Sequence, residues 1–231
     1  MILIVAAMEE EVAAIRACLS DTKEERYAAI PFVHGQLKGR EVLLMKSGVG
    51  KVAAALTTTV AMEHYPIEAL LNVGTAGGLA RSVDVGDLII GSAIVQYDYD
   101  TSALDGPSGK GLWFSADEAF VARAQQVSES LGVPTHPGLI ASGDRFVDHS
   151  MATKLIEEYP QAVCAEMEAG AIAQVCTHYQ IPFVILRSLS DVAWKQENAL
   201  DFETYKELAS RRSAQLCERF VEALAEAHTS E

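Results

Sequence analysis

At 231 residues, 49% of them hydrophobic, the chain carries enough apolar material for one large α/β domain over residues 1–231, and no Pro/Gly/Ser-rich linker divides it. Its 18 Lys and Arg against 32 Asp and Glu leave a net charge of −14, which argues against nucleic acid or another polyanion and favours a small neutral or cationic ligand. Four cysteines, at 18, 164, 176 and 217, show no CxxC spacing and sit in apolar segments, so they read as reduced thiols and not as a metal site.

In chain order, the first strand is expected over 2–7 and a helix over 9–19. The leading ILIVAAM has the apolar character of a signal-peptide core, but no basic segment precedes it and three glutamates come directly after it. No run approaches the ~20 apolar residues that span a bilayer. These features predict a cytoplasmic location. Glu9, Glu10 and Glu11 suit the start of a helix through its macrodipole, and only one of the three turns easily toward a site.

Strands over 32–37 and 41–47 flank the tight turn Leu37-Lys38-Gly39-Arg40, which predicts a mixed rather than wholly parallel sheet. A helix over 50–64 and a strand over 69–74 come next. The adjoining Gly74-Thr75-Ala76-Gly77-Gly78 is either a tight turn that needs glycines at positive φ or part of a binding site; its spacing matches neither a P-loop nor a dinucleotide fingerprint. After a strand over 87–97, residues 98–115 collect Gly, Pro, Ser and Asp without periodicity and read as a long loop, a lid or an interface segment.

A helix over 116–131, a strand over 137–142 and a helix over 150–158 lead to Ala165-Glu166-Met167-Glu168-Ala169-Gly170. If 162–167 is a strand and stays extended through 168, Glu166 and Glu168 project to one side. A buried carboxylate needs a partner, a proton or a chemical task. A helix over 169–179, a strand over 182–189 and an amphipathic helix over 201–226, with Leu208, Leu216, Phe220 and Leu224 inward, complete the chain. The alternation as a whole predicts a layered α/β fold.

In such folds ligands gather beyond the carboxyl ends of strands, which singles out Met8 to Glu11, Val73 to Gly78, Glu166 to Glu168 and Arg187 to Asp191. Arg187, inside an apolar strand end, must meet an anion, and Glu11, Glu166 and Glu168 are the candidates. Asp191 is either a site residue or the N-cap of the next element. If the strand ends converge, two carboxylates on either side of a bond to a sugar supply the acid and the base of an inverting hydrolysis, and a third accepts two hydrogen bonds from vicinal hydroxyls. No Ser–His dyad, metal cluster or activated cysteine competes with that set, and no histidine is assigned to catalysis.

Six blocks, AAMEEEV at 6–12, KSGVGKVAAAL at 46–56, NVGTAGGL at 72–79, ASGDRFV at 141–147, AEMEA at 165–169 and RSLSDVA at 187–193, resemble those of bacterial 5′-methylthioadenosine/S-adenosylhomocysteine nucleosidases, in the same order. The resemblance implies the three-layer α/β/α fold of nucleoside phosphorylases with a mixed central sheet. It implies a homodimer and hydrolysis of the bond between adenine and a 5′-thio-substituted ribose, a step of methionine salvage, without cofactor or metal. It assigns Glu11 as the base that activates water and Asp191 as the acid that protonates adenine at N7. Glu168 would accept from the ribose hydroxyls, Met167 lie on the sugar face, and Glu166 pair with Arg187 behind them.

On the same resemblance Thr75, where the family commonly has Ser, would join Arg187 in placing the water. Phe146 would stack on adenine, Val147 read the purine edge through its backbone, and Ser190 orient Asp191. Met8 and Phe202 would border the alkylthio group, although ENALDF at 197–202 is one residue longer than the common pattern. Leu104 stands in 98–115 where the family often has a Phe that covers the partner subunit's pocket. The alternatives are hydrolysis of 6-amino-6-deoxyfutalosine, a phosphorolytic relative of the same fold, and a nucleoside-binding module without turnover. Carboxylates at 9–11 disfavour bound phosphate, and a binder has no use for both an acid and a base.

Overall fold

A computed structural model describes residues 1–194 and 198–228. Its element order is β1 (Ile2–Ala6), α1 (Glu9–Arg16), β2 (Ser20–Tyr27), β3 (Ile30–Leu37), β4 (Arg40–Lys46), α2 (Lys51–His64), β5 (Ala69–Gly78), β6 (Leu88–Asp100), α3 (Ser102–Asp105), β7 (Lys110–Ser115), α4 (Glu118–Ser128), β8 (Thr135–Ser142), α5 (His149–Glu158), β9 (Ala162–Glu166), α6 (Ala169–Tyr179), β10 (Phe183–Val192) and α7 (Asn198–His228).

The ten strands form one mixed sheet in the order β10-β6-β8-β9-β5-β1-β4-β3-β2, with β7 added on β6. An additional parallel pairing of β10 with β5 closes β10, β6, β8, β9 and β5 into a ring, from which β1, β4, β3 and β2 extend. Helices cover both sides. The period of two in β1 explains how: Leu3 and Val5 pack into one core with α2 and α6, while Ile2, Ile4 and Ala6 pack into another with α1, α4 and α7. The expected three-layer architecture is therefore observed, with part of its central layer curled into a closed ring.

Two strands depart from the expected set. β2, Ser-Asp-Thr-Lys-Glu-Glu-Arg-Tyr, is a charged, exposed edge strand with no apolar alternation to reveal it, and its pairing with β3 holds it in place. Residues 98–115 are not a loop: β6 runs on to Asp100, a short helix and a 3₁₀ turn come next, and Lys110–Ser115 returns along β6 as β7. The Gly/Pro/Ser cluster marks only the reversal between those two strands. In α7, Leu216 and Phe220 are fully buried as expected, but Leu208 is exposed. Small residues, Ala209, Ser210 and Ser213, take the inward positions there and let the helix lie close on the sheet.

Candidate active site

A cavity of about 300 Å³ opens where β1, β5, β9 and β10 end and is lined by Met8, Glu11, Thr75, Phe146, Val147, Glu166, Met167, Glu168, Ser190, Asp191 and Phe202. Its size falls at the lower end of the range for small-molecule sites, ~300–1,000 Å³. Strand ends from both the extended part of the sheet and the closed ring meet here, because β1 and β9 both pair with β5.

Of the three N-terminal glutamates, Glu9 pairs with Lys46 and Glu10 with Lys206 at the surface, while Glu11 is buried. Glu11 stands at the third helical position of α1, so its side chain folds back over the helix start. Its Oε2 accepts from the backbone N–H groups of Ala7 (2.9 Å) and Met8 (3.0 Å). Its Oε1 accepts from Thr75, both backbone N–H (2.9 Å) and hydroxyl (3.1 Å). Burial raises the Glu11 pKa, against the pull of Arg187 and these amides. A carboxylate in that state is a stronger base than one in water.

Asp191, also buried, owes its direction to a β-bulge. Leu189 pairs with Ala76 and Asp191 with Gly77, so Ser190 is the extra residue, and the bulge re-aims the strand end into the cavity. The Ser190 hydroxyl donates to Asp191 Oδ1 at 2.9 Å. Asp191 lies within β10, so its reading as an N-cap falls.

The glycines of β5 serve close approach, not a turn. A Cβ on Gly74 would lie 2.7 Å from Glu11 Oε1, and one on Gly77 would lie 3.0 Å from Asp191 Oδ2. Neither has a positive φ. One glycine therefore makes room for each carboxylate, and the tight-turn reading of this stretch is corrected.

Glu166 and Glu168 do not share one strand face, a second correction. β9 stops at Glu166, and Glu168 caps α6 at φ −129°, ψ −37°. Glu166 turns beneath the cavity, where its Oε2 accepts from Arg187 Nη2 at 2.7 Å and from the backbone N–H groups of Glu168 (3.1 Å) and Ala169 (2.8 Å). Arg187 is 1% exposed, does not line the cavity, and also donates to Asn72 Oδ1. Glu168 faces the cavity and accepts from the Gly50 N–H at 2.9 Å. Burial, with the Glu166 carboxylate close by, pushes Glu168 up to about 8.

Phe146 and Phe202 meet edge to face across the mouth, with ring centroids 5.7 Å apart. Leu104 is 87% exposed on α3 and does not line the cavity. Of the ENALDF segment, Glu197 lies outside the described residues. Sequence reasoning missed Ala7, Val49, Arg145 and Ala165 in the lining, whereas Ala76 and Gly77 fall in the stretch 73–78 that it singled out. Each of the four belongs to one of the six blocks, so the blocks were the available signal; Ala7, Val49 and Ala165 are small or apolar and announce no chemistry, and the charge of Arg145 was passed over. Among the described residues no group of His, Cys, Asp and Glu could hold a metal, and no helix is long and apolar enough to cross a membrane.

The family model of the phosphorylase superfamily matches residues 1–222. A 5′-methylthioadenosine/S-adenosylhomocysteine nucleosidase of Bacillus thuringiensis is 39% identical, over 96% of this chain and 99% of its own. The Streptococcus pneumoniae nucleosidase of the same name, solved with a transition-state inhibitor, superposes with a TM-score of 0.91 at 34% identity, covering 96% of this chain and 99% of that one. The futalosine hydrolase of Helicobacter pylori superposes with a TM-score of 0.89 at 31% identity, covering 96% and 97%.

Proposed function

The chain belongs to the phosphorylase superfamily and, within it, to the 5′-methylthioadenosine/S-adenosylhomocysteine nucleosidases, and from that premise we infer that Glu11 and Asp191 divide the chemistry of its reaction, cleavage of the N-glycosidic bond of these two nucleosides to adenine and a 5′-thioribose. The observation that carries this division is the pair of buried carboxylates set against two glycines three residues apart in one strand. Inverting hydrolysis likewise uses two carboxyl groups, one as acid and one as base, on either side of the bond that breaks.

Glu11 takes the proton of the water that attacks the anomeric carbon. Asp191, oriented by Ser190, gives a proton to N7 as the bond to adenine breaks. Glu168 accepts from the ribose hydroxyls while Met167 covers the sugar face. As positive charge develops on the ribose, nearby carboxylates become more stabilising, which is the differential binding that lowers a barrier. Phe146 stacks on adenine, the Val147 backbone reads its edge, and Met8 and Phe202 border the 5′-substituent. Arg187 acts through Glu166, and Thr75 through Glu11.

Phosphorolysis is disfavoured by the same geometry. The amides of Ala7, Met8 and Thr75 form a ready anion nest, but the Glu11 carboxylate already fills it, and Arg187 is held by Glu166. A homodimer is supported by the exposed apolar stripe of Val49, Val52 and Leu56 beside the cavity and by Leu104, which would reach a neighbour's pocket. We place this activity in the cytoplasm, in methionine salvage.

The test is adenine release from 5′-methylthioadenosine and S-adenosylhomocysteine without phosphate. Release is expected at the same rate with phosphate added, and Glu11→Gln and Asp191→Asn should each lower kcat by about 10²–10⁴ with the fold intact. Strict dependence on phosphate would overturn hydrolysis. The likeness to a futalosine hydrolase favours a second substrate, 6-amino-6-deoxyfutalosine, and the same assay with that compound decides it.

A further inference from the structure

Outside the cavity, three charged residues close a small ring. Lys51, the first residue of α2, donates from its backbone N–H to Asp144 Oδ1 at 2.6 Å. Asp144, in the segment after β8, donates from its own backbone N–H to Asp98 Oδ2 at 2.9 Å. Asp98, near the end of β6, closes the circuit by pairing its Oδ1 with Lys51 Nζ. None of the three lines the cavity.

What the ring joins gives it a consequence. One residue before Lys51 is Gly50, whose N–H holds Glu168 and whose φ of +95° suits glycine. One and two residues after Asp144 come Arg145 and Phe146, part of the cavity wall. Lys51 Nζ also reaches Gln96 Oε1 at 3.3 Å, and Gln96 Nε2 donates to the carbonyl of Gly170 at the start of α6. The side chains of Lys51 and Asp98 are only 18% and 26% exposed, so water competes weakly for the pair.

We propose that Asp98 is a positioning residue that locks the start of α2 to the segment after β8, and so sets the separation between the Gly50–Glu168 contact and the Phe146 wall. The proposal rests on the nucleosidase reading only for what the two walls bind. Asp98 has two carboxylate oxygens and uses one for each wall. An amide cannot do both, because its nitrogen has no lone pair to accept from the Asp144 N–H or from Lys51.

Two measurements on Asp98→Asn test this. In steady-state adenine release the variant should raise KM about tenfold and leave kcat within about twofold, because the walls bind substrate while Glu11 and Asp191 do the chemistry. In amide hydrogen exchange by mass spectrometry, segments 47–53 and 143–148 should both lose protection, and Asp98→Glu should restore most of it. A lowered unfolding midpoint with KM unchanged, or loss of protection in one segment alone, would overturn the proposal. If the wild-type protein releases no adenine, the nucleosidase reading fails by itself, and the exchange data still decide the lock.

Discussion

Single side chains in this site are governed by what burial does to a carboxylate. Glu11, Glu166 and Glu168 lie around one buried guanidinium, and each solves its desolvation differently: Glu11 with four donors, Glu166 with Arg187, Glu168 with one backbone N–H and a raised pKa. The last has a sign that can be tested. Burial and the nearby Glu166 charge hold Glu168 at about 8 against an ordinary 4.5, so between those values the folded protein keeps a proton that the unfolded chain has lost. The stability this gives is fully present below pH 4.5 and is lost as the pH climbs to about 8. Glu168→Gln removes the dependence, so the melting temperature of the variant minus that of the wild type should increase steadily from about pH 5 to about pH 8 in ligand-free protein. A difference independent of pH would show that Glu168 is ionised throughout. The residue types were legible from sequence, and so was the pairing of Glu166 with Arg187; that Glu166 and Glu168 leave from different elements was not, because β9 ends at Glu166 and Glu168 caps α6.

Among the elements, the hairpins show how far local chemistry reaches. Lys38-Gly39 reads at once as a two-residue turn and is one, with both residues at positive φ. The β2–β3 hairpin has the same form with Ala28 and Ala29 at φ 47° and 65°, in the left-handed region that alanine disfavours. No turn signal marks it, and β2 itself is charged, so it escapes a reading based on pattern. Pairing along β3 and the contacts of Glu25 with Tyr65 and His34 hold it against the strain. Ala29→Gly should therefore stabilise the protein by about 0.5–1 kcal/mol, seen as a higher urea midpoint at unchanged slope. An unchanged or lower midpoint would mean that the turn carries no strain worth relieving.

Across the whole molecule the net charge of −14 sets a background of self-repulsion that exposed ion pairs such as Arg16–Glu24 do little to offset. Shortening the Debye length from about 30 Å to about 10 Å, by raising salt from 0.01 M to 0.1 M, should lift the melting temperature by roughly 1–3 °C. A fall would point to attractive pairs outweighing repulsion. Family, layered fold and the identities of the principal site residues were readable along the chain, because strand alternation, helix period and six short blocks are all local patterns. The closure of five strands into a ring, the bulge at Ser190 that turns Asp191 inward, and the two glycines of β5 that admit the carboxylates were not. Those depend on which strands become neighbours and how closely they approach, and a linear sequence records the order of its residues but not the distances between residues far apart along it.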